Sequence, residues 1–458
     1  MDPSDEQEIA IFPDCSHLLK NMRNGLLKHD FVISKAIQEK YNLPSRIISR
    51  QHIYFLKEYQ DKNTWKITPK LTNACFPKGN YEKMKVGPAM NFFSEDTAAG
   101  LRFLVKECGY TPEALTTAFF FDVVAKWYKF VSSRNSYMAF HKTLDETHLH
   151  MEQFLQDFTE IIDSLTFMSN KGDEQKPIQT GIKLHTKSLF TLQNYYINKL
   201  QFDYLLPGRL GSDCIENYFS QVRAKNPSPT PMQFLRAFKA LLIMHHMKPS
   251  KYGSYMEDVG SHWLTELRDL KECQLETLDE DQDENVYEIL VGDNVNKEFT
   301  QECALVHVAG YVLKKTIHTR SKCEKCQEFF TQSSPTLDLH KLVKEKEYKE
   351  GALTLPTEVA WRVFSFAESS FNMNIEALKK GQIIPGDLVD KLYDTVKDIP
   401  EIPHCHLKLI LRRFLNVRSH FWARQMDLEE KEKKNLEQKA AAASKTMGGY
   451  YQKGYSSK

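Results

Sequence analysis

This chain of 458 residues lacks an excess of either charge sign: 61 Lys and Arg stand against 60 Asp and Glu. A histone-like polycation is excluded, and any phosphate-binding surface has to be local. Cysteine is sparse, nine residues with no framework spacing, which excludes a disulfide scaffold and fits a reducing compartment. Long apolar runs are missing. The two best, over 115–124 and 234–244, are broken by Asp122, Arg236 and Lys239 and read as core helices, so no membrane partner is expected. The acidic first six residues have no basic-then-apolar order, as a signal or transit peptide would. No internal repeat occurs, and no Gly-x-x-x-x-Gly-Lys-Ser/Thr loop exists to cradle a nucleotide phosphate.

What is there is the composition of a folded protein, 41% hydrophobic and 12% aromatic, with length enough for two or three cores. Residues 9–12 read as a short strand stopped by Pro13. From Cys15 onward Leu18, Leu19, Met22, Leu26 and Leu27 recur at helical spacing. Asp14 sits at that joint, where its carboxylate can cap the helix. Residues 51–205 read as mainly helical, without βαβ alternation. After Pro207-Gly208, Ser212 or Asp213 can cap a helix with Ile215, Tyr218, Phe219 and Val222 on its apolar face. Asp213, Glu216, Ser220 and Arg223 lie on the other face. The Pro-rich stretch 226–231 stops it, and 232–247 begins another helix. Residues 249–300 are acidic around 276–284 and weakly apolar, the composition of a linker. A helical unit follows over 301–426, and 427–458 reads as a charged tail.

Two local patterns carry chemistry of their own. Cys323-Glu324-Lys325-Cys326 has the two-residue spacing that lets both thiolates reach one Zn²⁺, and His318 and His340 are the nearest residues able to complete the ligand set. The alternative is two reduced cysteines in a turn. The segment 408–424 sets Lys408, Arg412, Arg413, Arg418 and Arg424 among Leu, Phe and Trp residues on one helix. Such residues neutralise phosphates and stack on bases, or form a solvated basic face over an apolar core face.

Three further segments, in family order, resemble the P element family of DNA transposases, including its relatives with a THAP zinc domain. The first is Phe12-Pro13-Asp14-Cys15-Ser16-His17-Leu18-Leu19-Lys20-Asn21-Met22-Arg23-Asn24. It is similar to the family's Asp-x-x-His-Leu-x-Lys-x-x-Arg-Asn at the fourth strand of an RNase H-like domain. The second, Ile67-Thr68-Pro69-Lys70-Leu71-Thr72 with Lys83-Met84-Lys85-Val86 and Phe92-Phe93-Ser94, resembles the start of the family's helical GTP-binding insertion. The third, residues 206–223 around Ser212-Asp213-Cys214-Ile215-Glu216-Asn217-Tyr218-Phe219-Ser220, resembles the helix that returns to the catalytic domain. Val308-Ala309-Gly310-Tyr311-Val312 looks like the region beyond it.

The resemblance implies a mainly α fold with an α/β part. A partial RNase H-like domain (1–50 and 206–248) is interrupted by a helical GTP-binding-type insertion (51–205) and followed by the 249–300 linker, the 301–426 helical domain and the tail. It implies Asp14 and Glu216 as catalytic ligands of Mg²⁺ or Mn²⁺, and Asp213 as a contact to guanine of bound GTP. The family's Trp-Phe-Asp-x-x-Asn-Ser becomes Trp127-Tyr128-Lys129-Phe130-Val131-Ser132-Ser133 here, so the guanine contacts are altered. Two Mg²⁺ ions activate a water or 3′-hydroxyl and stabilise the leaving oxygen in such phosphodiester chemistry, and they take hard oxygen ligands. Implied partners are DNA, as transposon ends, and a second copy of the chain, in the nucleus. Only thirteen residues precede Asp14, too few for the strand that bears the family's first triad aspartate. The expectation is therefore a transposase chain that neither cleaves nor joins DNA alone. The alternative is a non-catalytic nuclear DNA- or protein-binding protein derived from such an enzyme.

Overall fold

The computed structural model describes residues 9–61, 63–136, 139–141, 146–168, 177–226, 228–247, 297–349 and 351–453. The acidic linker therefore lies outside the described residues except for its last four positions, as does the end of the tail from 454. The chain is mostly helical, and no helix among the described residues is long and apolar enough to cross a membrane. It divides into two compact units. One holds residues 1–55, 70–101 and 111–293; the other holds 56–69, 102–110 and 294–458.

The first unit contains helices α1 (Cys15–Lys28), α2 (Lys35–Lys40), the start of α3 (Arg50–Asp61), α4 (Asn80–Lys83), α5 (Val86–Phe92) and the first half of α6 (Glu95–Cys108). After these come α7 (Ala114–Val131), α8 (Glu146–Asp163), α9 (Pro177–Gln193), α10 (Asp213–Lys225) and α11 (Pro231–Met247). Strands are two residues each: β1 (Phe31–Val32), β2 (Ile47–Ile48), β3 (Phe140–His141), β4 (Thr166–Phe167) and β5 (Tyr204–Leu205). β1 lies between β2 and β4, antiparallel to both, with Phe31 opposite Ile48 and Phe167; β3 pairs with β5. The core is aromatic. α7 buries Phe120, Phe121, Trp127 and Phe130, with Trp127 stacked on Phe158 of α8 at 5.3 Å between ring centroids.

The expected strand at 9–12 does not form. A strand needs a neighbour whose N–H and C=O groups pair with its own, and here a side chain takes that place. Ser188 Oγ of α9 accepts from Ile11 N at 2.9 Å and donates to Ile11 O at 2.7 Å. α1 does begin at Cys15, and its stripe Leu18, Leu19, Met22 and Leu26 is buried as the spacing predicts. The buried Arg23 explains the Arg-Asn end of that motif: its Nη2 donates to Lys83 O at 2.9 Å and to Asn24 Oδ1 at 3.1 Å, tying α1 to the end of α4. α10 and α11 pack through Tyr218 against Phe238 and Phe219 against Phe234.

In the second unit the helix Lys297–Leu313 starts inside the segment read as linker. Its first turn has partners: Tyr59 and Thr300 hydroxyls lie 2.8 Å apart, and Phe299 stacks on Phe103. Gly310 on this helix admits the Thr354 carbonyl, which a Cβ there would strike. Helices Glu358–Met373 and Pro385–Val396 pack against the terminal helix His404–Lys453, which continues through most of the expected tail. Its buried face, Leu407, Ile410, Leu411, Phe414 and Leu415, follows helical spacing.

Candidate functional site

Asp14 ends the extended segment and caps α1, its Oδ1 accepting from Ser16 N at 3.2 Å. That leaves Oδ2 free to face outward, toward His17 one turn along the helix at 3.6 Å. His17 Nε2 also lies 3.0 Å from Glu216 Oε1 on α10. Ligand atoms of Asp14, His17 and Glu216 all fall within 4.8 Å of one another. Asp14 is the sheltered member, 13% exposed against 56% for His17 and 51% for Glu216. Two carboxylates separated by 202 residues (216 − 14) thus meet beside an imidazole at the surface. His17 is the member that sequence reasoning passed over, although its i, i+3 spacing from Asp14 inside the quoted motif was the available signal.

Two devices set this geometry. From α9, three residues apart and so on one face, Ser188 holds Ile11 and His185 Nδ1 donates to Pro13 O at 2.9 Å. On the other side, Gly208 N donates to Ser133 O at 2.9 Å, seating the turn before α10 on the end of α7. Ser132 Oγ donates to Tyr128 O at 2.6 Å, Tyr128 OH lies 3.1 Å from Ser16 Oγ, and Lys129 pairs with Glu95. Trp127 and Phe130 are core residues. Asp213 opens α10, and its side chain lies outside the described residues.

Burial holds the His185 imidazole below its ordinary value, opposed by its bond to Pro13. The native state keeps it neutral, whereas the unfolded chain protonates it near pH ~6.5. Its contribution to stability is therefore full above about pH 6.5 and is lost as pH falls toward the lowered native value. In urea unfolding at about pH 7.5 and about pH 5.5, the parent should lose more stability than His185→Asn, whose amide can keep the bond to Pro13. Equal losses would count against this account.

The cysteine pair has other partners than those expected. Cys323 and Cys326 lie with Cys405 and His406, all four ligand atoms within 4.8 Å of one another. His340 is committed elsewhere, its Nε2 donating to Pro356 O at 2.9 Å, and His318 does not belong to the cluster, its Nε2 buried without a partner. The basic segment divides as well. Arg412 and Arg424 are exposed, Lys408 pairs with Asp390 at 2.7 Å, and Arg413 donates to Lys315 O at 2.8 Å. Arg418, expected to face phosphate, is 3% exposed and bound to Glu368. It continues the buried stripe three residues beyond Leu415, so its charge is used inside the fold.

A family model for the TNP-like, GTP-binding insertion domain matches residues 16–144. The transposable element P transposase of Drosophila melanogaster is 27% identical over 334 residues, covering 68% of this chain and 41% of that protein. The DNA transposase THAP9 of Homo sapiens is 30% identical over 250 residues, covering 51% of this chain and 26% of its own length. Among solved structures, the Drosophila P element transposase strand transfer complex aligns over 52% of each chain at 23% identity, with a TM-score of 0.44. The sequence matches make the chain similar to transposases that carry a TNP-like GTP-binding insertion domain. More narrowly, the chain is P element transposase-like in sequence, as its motifs imply, and it spans less than half the length of either curated relative.

Proposed function

We propose that this chain is part of a P element-like DNA transposase whose RNase H-like site uses Asp14 and Glu216 to hold a divalent ion against DNA. The observation that carries the reading is the meeting of these carboxylates beside His17, from segments 202 residues apart in sequence. The donor set fits Mg²⁺ or Mn²⁺: two hard oxygens at a solvent-facing position leave room for retained waters. Such an ion supplies Lewis-acid activation of the attacking and leaving oxygens. Asp14, fixed by its cap and by the Ser188 and His185 bonds, provides the rigid side of the site. Glu216, held by His17, provides the exposed side. Two-metal cleavage needs a further bridging carboxylate, and among the described residues the cluster has only this pair. The chain alone is therefore read as binding the ion without cutting or joining DNA.

GTP is proposed at the turn that carries α10, where the Gly208–Ser133 bond brings the Pro207–Arg209 turn to the end of α7. Exposed Arg412 and Arg424 are the residues of the basic segment left to meet phosphate.

The test is Mn²⁺ titration of the full chain by electron paramagnetic resonance. Asn caps helices as well as Asp, and Gln keeps an acceptor for His17, so Asp14→Asn and Glu216→Gln should fold. Each is expected to weaken Mn²⁺ at least about tenfold, as loss of even an outer-shell partner does. Parent-like affinity in both variants rejects the site, and transposon-end cleavage by the purified chain rejects the claim of inactivity.

A further inference from the structure

Within the second unit, a cluster apart from the carboxylates has a complete ligand set of its own. Cys323 caps the helix Glu324–Phe330, directly after Lys322, which adopts left-handed backbone at φ 50°. Cys326 is on the first turn of that helix and fully buried. Cys405 and His406 are on the first turn of the terminal helix, 82 residues beyond Cys323 in the case of Cys405. Cys405 Sγ stands 3.7 Å from Cys323 Sγ and 3.3 Å from Cys326 Sγ, and Cys326 Sγ stands 3.6 Å from His406 Nδ1.

We propose that Cys323, Cys326, Cys405 and His406 form a closed, tetrahedral zinc site. Zn–S bonds of about 2.3 Å and Zn–N bonds of about 2.0 Å at tetrahedral angles put sulfur atoms roughly 3.7 Å apart and sulfur and nitrogen roughly 3.5 Å apart. The Cys323–Cys405 distance of 3.7 Å and the Cys326–His406 distance of 3.6 Å match these values, and Cys326–Cys405 at 3.3 Å is a few tenths of an ångström shorter. A disulfide would use two sulfurs and leave a third thiol and an imidazole crowded at the same point, whereas a metal uses all four groups. With every position filled by protein, the site is structural rather than catalytic. It clasps the start of the terminal helix to the Cys-x-x-Cys turn. The Arg413 to Lys315 O bond ties the same terminal helix to the helical segment Lys314–Ser321 that leads into this turn.

The test is zinc content of the full chain, purified with reductant and without chelator, by inductively coupled plasma mass spectrometry. About one zinc per chain is expected, retained in His318→Ala and Cys75→Ser and lost in Cys405→Ser. Since a cysteine variant can lose zinc by failing to fold, the parent is also reconstituted with Co²⁺. The intense visible bands of a tetrahedral thiolate-rich site are the expected spectrum. Parent zinc content in Cys405→Ser, a weak octahedral cobalt spectrum, or a Cys326–Cys405 disulfide in the reduced preparation would each overturn the assignment.

Discussion

Arg418→Met and Glu368→Leu, made singly, are each expected to destabilise the second unit by about 3–5 kcal/mol, because each leaves an uncompensated buried charge. Arg418 Nε lies 2.9 Å from both Glu368 oxygens, and Nη2 donates to Asn372 Oδ1 at 2.9 Å. Asn372 Nδ2 in turn donates to Glu368 Oε1 at 3.1 Å. The guanidinium lies over the rings of Phe371 and Trp65, at 4.5 and 5.7 Å from their centroids. The Arg418 side chain is 4% and that of Glu368 12% exposed, so added salt should screen the pair little. The double variant is expected to recover most of the loss, since apolar side chains of similar volume often replace a buried pair without net cost. Urea unfolding of the four proteins measures the coupling directly, and additive losses would refute the account. Arg418→Met should also leave the salt dependence of any DNA binding unchanged, unlike loss of a phosphate contact.

Arg418 also shows what was legible in the sequence and what was not. Leu407, Ile410, Leu411, Phe414 and Leu415 set a helical phase, and 418 continues it; reading the segment as a store of positive charge ignored that phase. Its partner Glu368 likewise sits in phase with the buried Phe364, Ala367 and Phe371. Periodicity placed the spans of α1, α10 and α11 well, since those signals are local, but 234–244 is no core helix. Leu235, Ile243 and Met244 on α11 are exposed, as are Ile215 and Phe219 of the expected α10 face, where Val222 alone is fully buried. The strand at 9–12 failed because pairing depends on a neighbour that local sequence does not disclose. Cys-x-x-Cys was visible as a half-site, but its partners are an adjacent Cys-His pair 79 residues beyond Cys326 in the case of Cys405, with no spacing signal to single it out. Looking nearby for ligands led to His318 and His340. For Asp14 the cap is what the structure shows, Oδ1 meeting Ser16 N, while Oδ2 stands 3.6 Å from His17 and leaves room for the proposed ligand role.

Gly208→Ala is expected to damage the carboxylate site without touching either carboxylate. A Cβ at this position would lie 2.6 Å from the Ser132 carbonyl carbon and 2.6 Å from Ser133 O, and closer still to Ser132 O. All three are backbone atoms, so no side-chain rotation relieves the clash. Overpacking of this kind costs about 1–3 kcal/mol. If the turn lifts away, Gly208 N also loses its bond to Ser133 O, adding roughly 1–3 kcal/mol should that buried donor find no other partner. The turn leads directly into α10, so the displacement carries Glu216 away from Asp14 and His17. Mn²⁺ affinity should fall at least about tenfold, as for Glu216→Gln, and saturable GTP binding by the parent should be lost in the same variant. Gly87→Ala is the control: nothing lies within 4 Å of its added Cβ, and in a helix the exchange is neutral or stabilising by about 0.5–1 kcal/mol. Thermal unfolding and the Mn²⁺ titration together decide the matter. A Gly208→Ala protein as stable as Gly87→Ala, with parental Mn²⁺ affinity, would show that the close approach of this turn to α7 does not set the position of Glu216. Absence of saturable GTP binding in the parent would remove the nucleotide from the proposal and leave the metal reading standing, since the carboxylates rest on their own geometry.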